Sequence, residues 1–185
     1  MKTDYHQILQ LVNNLDLSNY AKSRNFINGS VSMLSPYISR GLLSTKIIVD
    51  HLSSKYSSLT KFEKFIQELA WRDYWQIVWK YKNINNDIKR KQLDVRQFGI
   101  PTSILNASTG IEAVDKSVNS LYETGYVHNH ARMYISSIIC NIAKCHWKIP
   151  AQWFYYHLLD GDWGSNALSW QWVSGTNSSK KYYAN

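Results

Sequence analysis

A chain of 185 residues with 44% hydrophobic content can bury one substantial core, which excludes a disordered chain. Charged residues make up 18%, below the roughly 25% typical of soluble domains, and eight Trp, thirteen Tyr and five Phe fill part of that gap. Lys and Arg number 21 against 13 acids, a net charge of +8 that favours polyanions, nucleic acid first and an anionic membrane surface second. Apart from Lys89-Arg90-Lys91 the basic residues are scattered, so a solvated basic face and a phosphate-tracking groove both stay open.

In chain order, residues 1–10 are polar and lack the apolar stretch of a secretory signal. No run approaches the roughly 20 apolar residues of a membrane span, so a cytoplasmic protein without a membrane partner is expected. Ser35-Pro36 reads as a helix N-cap followed by a first-turn proline, opening a helix through Tyr37, Ile38 and Leu42. Ser44 starts another, with Ile47, Ile48 and Leu52 on one face. Phe62, Phe65, Ile66, Leu69 and Ile77 follow 3.6-residue spacing and predict a long amphipathic helix over 60–81. Residues 83–109 are polar and irregular, a long surface loop. Helices are predicted over 110–123, 128–145 and 150–159, then a loop over 160–166 and a short helix from 168 onward. Residues 178–185 show no pattern. With period-2 alternation scarce and no repeat or linker, the expectation is a single all-α domain over 1–185.

Several clusters carry possible chemistry. Glu68 and Arg72 are four apart on the long helix and share a face beside Trp71; a surface ion pair and a ligand-lining pair both fit. His128 and His130 point to different helix faces, and no carboxylate or cysteine nearby completes a metal set. Asn129 and Arg132, three apart, can reach one polar ligand, and a guanidinium suits bidentate phosphate contact. Asp160 and Asp162, separated by one glycine, fit a polar cofactor pocket, but equally turn caps or a weak divalent-cation site. Cys140 and Cys145 lack zinc-site or iron–sulfur spacing and are expected to be structural and buried. Gly-x-Ser-x-Gly, Gly-x-Gly-x-x-Gly and Walker motifs are missing, which removes those routes to hydrolysis and phosphate cradling.

Taken together, a set of colinear segments resembles the flavin-binding domain of the DNA photolyase/cryptochrome family. They are Tyr20 with Arg24, Ser32 to Tyr37, Glu68 to Asp73, Thr109-Gly110 with Val114-Asp115, Thr124 to Asn129, Ala131 to Met133, Leu159 to Asp162, and Trp170-Gln171-Trp172. The resemblance runs from about residue 20 to the C-terminus, with residues 1–19 as a lead-in. It implies a U-shaped FAD in an all-helical domain. On that basis Tyr20, Ser32, Met33 and Leu34 are expected at the diphosphate and ribityl, and Glu68 and Arg72 around the flavin and adenine. Asn129 and Arg132 are expected beside the folded cofactor, Asp160 and Asp162 on the flavin, ribityl and N3 side, and Asn166 at flavin N5. An amide at that last position resembles photolyases, whereas plant cryptochromes carry an Asp.

Trp71 and Trp172 resemble the tryptophans that sandwich a flipped pyrimidine dimer, with Arg24 and Met133 on the substrate side. Trp147 and Trp170 match the inner members of an electron-transfer tryptophan chain; the stretch 94–98, where the outer member is expected, has no Trp. The implied activity is blue-light-driven repair of pyrimidine dimers in damaged duplex or single-stranded DNA by a lyase whose chromophore is FAD. The alternative is a non-enzymatic cryptochrome-like photoreceptor or an incomplete flavin domain. Family members carry an N-terminal antenna domain and further C-terminal helices, so a separate antenna or completing polypeptide is an expected partner.

Overall fold

The computed structural model describes residues 1–184; Asn185, the last residue of the patternless tail, lies outside the described residues. The chain is all-α, with no strand among the described residues. It divides into two compact units, one over Met1–Tyr74 and one from Trp75 onward.

The first unit holds α1 (Tyr5–Asn13), α2 (Tyr20–Ser23), α3 (Ser35–Ser39), α4 (Thr45–Lys55) and most of α5 (Glu63–Tyr81), the last preceded by a 3₁₀ turn at Thr60–Phe62. Ser44 caps α4 as expected, its side chain accepting from the Ile47 N–H at 3.1 Å. Ile8, Val12, Leu34, Leu43, Ile48, Leu52, Phe65 and Leu69 form the core of this unit. The helix expected to run from Ser35 to Leu42 ends at Ser39 instead. There the Leu42 and Leu43 N–H groups turn back to the Tyr37 carbonyl, and Gly41 sits at φ +73°, where a side chain would be strained. Ser35 is the first helical residue rather than the cap, which falls on Leu34. On α5 the apolar face is shorter than the spacing predicts: Phe65 and Leu69 are buried, but Ile77 is 57% exposed.

The second unit holds α6 (Thr102–Leu105), α7 (Glu112–Thr124), α8 (Asn129–Ser137), α9 (Lys148–His157) and α10 (Trp163–Ser174). Its core gathers Val118, Leu121, Ile135, Ile139, Trp147, Phe154, Leu168 and Trp170, and α10 packs against both α8 and α9. Because α10 is covered on most sides, it is apolar nearly all round rather than striped. The long helix expected over 128–145 gives way at Ser137 to a π-helical turn, Ile138–Ile142. The Asn141 amide is turned inward there, donating to the Val173 and Tyr182 carbonyls at 3.1 and 2.7 Å. Cys140 and Cys145 are buried, as the sequence leads one to expect, though Cys145 lies beyond the helix in an isolated bridge with Gln97. Burial pushes both thiols up from their ordinary range, which keeps them unreactive.

Residues 83–109 are irregular, but they are not simply a surface loop. Ile84, Gln92 and Ile104 are buried and α6 interrupts the segment. No described helix is long and apolar enough to cross a membrane.

Candidate functional site

In the second unit the site is assembled by two glycines and two carboxylates. Gly125 ends α7 in the left-handed region at φ +66°, and a Cβ there would come within 2.7 Å of Leu159 Cγ. This close approach lets the Leu159 N–H donate to the Gly125 carbonyl at 2.9 Å, bringing the end of α9 beside the start of α8. Gly161 then makes a turn so tight that a Cβ would lie 2.9 Å from the Tyr155 carbonyl oxygen. The outcome is Asp160 facing Arg132. One guanidinium nitrogen, Nη2, donates to both Asp160 oxygens at 3.0 and 2.9 Å, while Nε donates to the Val127 carbonyl at 2.8 Å. The Asp160 side chain is 5% exposed and that of Arg132 22%, so this is a largely desolvated pair. The guanidinium also lies 5.9 Å from the Tyr126 ring centre. Burial raises the Tyr126 phenol above its ordinary range, with Arg132 opposing the shift and Asp160 adding to it. Arg132 is thus tied to protein acceptors through Nε and Nη2, where the sequence alone left phosphate open for it.

Asp162 settles into one of its open readings, the helix cap. Its Oδ1 accepts from the Ser165 N–H at 2.7 Å, and Gln76 Nε2 donates to both of its oxygens at 2.8 and 2.7 Å. This cap starts α10 at Trp163, so Asn166 sits on the first turns of a helix, not in the loop expected over 160–166. The expected short helix from 168 onward is the second half of the same α10. Asn166 is half-buried, and its Nδ2 donates to the Ala151 carbonyl at 2.7 Å. That bond fixes the amide plane and leaves Oδ1 with no protein donor among the described residues. Asn129 is exposed at the start of α8, and Met133 is half-buried one turn on.

Trp147 and Trp170 are both in the core, 0% and 3% exposed, and Trp170 meets Phe154 edge-on with ring centres 5.4 Å apart. The irregular segment clamps Trp147 from both ends. Asp87 Oδ1 accepts the indole N–H at 2.6 Å, and Gln92 Oε1 accepts the Trp147 backbone N–H at 3.0 Å. Gln171, fully buried and flanked in sequence by Trp170 and Trp172, holds that segment in turn. Its Nε2 donates to the Ile84 and Asn86 carbonyls at 2.9 and 3.1 Å, and its Oε1 accepts from the Ile88 N–H at 3.1 Å. Asp87, Gln92 and Gln171 are the site residues that sequence reasoning misses. A glutamine flanked by two tryptophans was the one available signal, since a buried amide between large rings must find partners. Trp172 is 39% exposed and lies against Tyr182, ring centres 5.2 Å apart and planes 31° apart.

In the first unit, Tyr20 opens α2 and meets Phe65 edge-on at 5.2 Å. Glu68 pairs with Arg24 at 2.9 Å, and that guanidinium lies 6.0 Å from the Tyr20 ring centre. Arg72, four residues on from Glu68, is half-buried on the same helix, and the ion pair seen for Glu68 is with Arg24. Met33, half-exposed, takes a left-handed φ of 54° between Ser32, whose Oγ accepts from the Leu34 N–H at 3.4 Å, and the buried Leu34. Trp71 is 46% exposed and meets Tyr74 edge-on at 5.6 Å.

A family model described as the FAD binding domain of DNA photolyase matches residues 65–185. The mitochondrial deoxyribodipyrimidine photo-lyase of Saccharomyces cerevisiae is 30% identical over 170 residues, covering 84% of this chain and 30% of that protein. The deoxyribodipyrimidine photo-lyase of Alkalihalophilus pseudofirmus is 31% identical over 180 residues, covering 92% of this chain and 37% of that one. The chain therefore spans about a third of the length of the curated relatives it matches. Among solved structures, the Synechocystis cryptochrome superposes with a TM-score of 0.83 at 24% identity, covering 100% of this chain and 41% of its own. A class III photolyase from Agrobacterium tumefaciens gives 0.80 at 23% identity, covering 92% and 38%. At those identities the structural likeness is one of fold, and it agrees with the all-helical architecture found here. The matched segment holds the Gly125 turn, the Arg132–Asp160 pair, the Asp162 cap and Asn166, and on it the chain belongs to the family of FAD-binding domains of DNA photolyase.

Proposed function

We propose that this chain is the flavin-holding part of a light-driven lyase that splits pyrimidine dimers in DNA. The observation that carries the proposal is the state of Asn166. Its amide nitrogen is engaged by Ala151, so its oxygen is a fixed, neutral acceptor, six residues along the chain from Asp160 of the charge-balanced Arg132–Asp160 pair. One residue earlier, the Ser165 hydroxyl is shielded from water without a hydrogen-bond partner, an orphan that calls for a polar ligand. A fixed acceptor and an orphaned hydroxyl fit the N–H and C=O edge of a flavin ring. Bound FAD would supply the absorption of light and the electron that splitting a dimer requires.

The chain's own residues have narrower tasks. Asn166 accepts from a ring N–H and, being an amide, has no acidic proton to give. Arg132 holds Asp160 in place and cancels its charge, so the cofactor meets a rigid neutral surface. Asn129 and Asp162 flank that surface. Tyr20, Ser32, Met33, Leu34, Glu68 and Arg72 are assigned to the diphosphate, ribityl and adenine. Trp147 and Trp170 are assigned to electron passage through the core, with Asp87 orienting the indole of Trp147. Trp71 and Trp172, large rings left partly exposed, are assigned to an extruded dimer together with Arg24 and Met133. A lesion that is already poorly stacked costs less to extrude, and aromatic walls recover part of that cost. DNA is the substrate, a cytoplasmic setting is retained from the sequence, and an antenna or completing polypeptide is part of the proposal.

The test is anaerobic illumination of the chain, loaded with reduced FAD, on an oligonucleotide carrying a thymine dimer. Loss of dimer beyond the dark control is expected, and Trp172→Ala should weaken dimer binding while flavin stays bound. Retained flavin with no dimer loss would make the protein a non-enzymatic, cryptochrome-like flavoprotein and end the lyase proposal.

A further inference from the structure

The fold gathers cations that are scattered in the sequence. In the second unit, residues 87–98 run between the turn at 144–148 and the tail at 176–181, fastened on both sides. Toward the tail, the Lys89 and Arg90 N–H groups donate to the Thr176 carbonyl at 3.2 Å, Arg90 Nη1 donates to the Ser179 carbonyl at 3.2 Å, and Lys181 Nζ donates to the Leu93 carbonyl at 3.1 Å. Toward the turn, the Arg96 N–H donates to the Lys144 carbonyl and the His146 N–H to the Gln97 carbonyl, each at 2.9 Å. The exposed Lys89, Arg90, Lys91, Arg96 and Lys180 therefore lie on adjoining segments with the half-buried Lys144 and Lys148, a strip of chain rich in cations. The carboxylates on the strip are already engaged: Asp87 by Trp147 and Gln92, and Asp94 by Lys181 at 3.2 Å.

Charge alone describes many solvated faces, but this strip also carries an aromatic platform. Phe98 is 74% exposed and stacks on His146, ring centres 5.4 Å apart and planes 24° apart. Beside it opens a hollow of about 410 Å³ lined by Asn85, Asn86, Asp87, Lys91, His146 and Lys148, within the size range of small-molecule sites. The other end of the strip reaches Trp172: Ser178 Oγ donates to the Trp172 carbonyl at 2.9 Å and contacts the Lys180 carbonyl at 2.6 Å.

We infer that this strip is a track for undamaged single-stranded nucleic acid, with its cations on the phosphates and a base stacked on Phe98. A single strand is the occupant because an exposed ring can stack only on a base that is not already stacked in a duplex, and such stacking tolerates any sequence. The inference goes beyond the flavin reading and needs neither cofactor nor light.

The test is fluorescence anisotropy of the full chain with a labelled, undamaged oligo-dT of 20 nucleotides over a range of salt. Phe98→Ala should weaken binding roughly 5- to 100-fold, and Phe98→Trp should restore it. The triple variant Lys91→Ala, Arg96→Ala, Lys148→Ala should lower the slope of log affinity against log salt by about 2, at about 0.7 per phosphate contact. A control triple, Lys46→Ala, Lys64→Ala, Lys116→Ala, removes the same charge from exposed sites off the strip and should leave the slope unchanged. Circular dichroism confirms that each variant is folded. Equal weakening by both triples, or no effect of Phe98→Ala, would overturn the track. So would a strip that binds phosphatidylserine-containing vesicles and not the oligonucleotide.

Discussion

Two arginine–carboxylate pairs with nearly the same 2.9 Å separation sit in different surroundings. The Arg132–Asp160 pair is largely desolvated, with an Asp160 side chain only 5% exposed, and it links the starts of α8 and α10 through the Gly125 and Gly161 turns. The Arg24–Glu68 pair has both side chains a quarter to a third exposed and ties the end of α2 to α5. Water screens the second pair and lets either partner rotate away at small cost. It cannot do so for the first, where loss of one partner strands a charge. The first pair is thus a framework for the second unit, and the second is a screened, partly exposed contact within the first unit.

The largest effect is expected from Asp160→Ala. Leaving Arg132 without its carboxylate should cost about 3–5 kcal/mol, read as a large drop in the urea midpoint; a loss below about 1 kcal/mol would put both pairs in the same class. Next is Trp147→Phe, which keeps most of the packing but removes the N–H that Asp87 accepts at 2.6 Å. It should cost about 1–3 kcal/mol, and Asp87→Asn should recover part of that loss in the double variant. Glu68→Gln is expected to change stability by about 0–1 kcal/mol; a larger effect would show that the first unit depends on its ion pair as the second does.

The smallest effect concerns pH. Asp115 accepts from the Thr109 hydroxyl at 2.6 Å and from the Thr109 and Gly110 N–H groups, and the Thr109 hydroxyl is the main cause holding its carboxyl below the ordinary value of 3.8. A lowered folded value contributes stability that is present above the unfolded carboxylate range and lost as pH falls through the folded value. Urea midpoints of the parent should therefore fall faster below about pH 4 than those of Asp115→Asn. Parallel pH profiles would remove Asp115 from the account.

The all-helical class was legible because glycine, proline and alternation are scarce and the stretch leading into the first turns of α5 carries a plain 3.6-residue period in Phe62, Phe65, Ile66 and Leu69. Helix ends were less legible, since each was decided by one side chain or one backbone turn. Asp162 began α10 five residues before the expected Leu168, and the inward-turned Asn141 coincides with the π turn where α8 stops short. Motif residues such as Asp160 and Asn166 could be named from sequence, but not their partners. Arg132 and Asp160 are 28 residues apart, and Trp147 is 60 from Asp87. No local period encodes such pairings; they depend on the packing of α10 against α8 and α9 and on the hold of Gln171 on the segment that carries Asp87. For the same reason the ion pair of Glu68 with Arg24, 44 residues earlier in the chain, could not be read from the helical spacing that sets Glu68 beside Arg72.

If Asn166 and the Arg132–Asp160 pair serve a flavin, the chain must hold FAD. The most direct measurement is the absorption spectrum of the full chain after mixing with FAD and removing the excess by gel filtration. The account predicts a structured flavin band at close to one FAD per chain, with Asn166→Asp perturbing that band while the protein stays folded. A folded, colourless parent protein would contradict it.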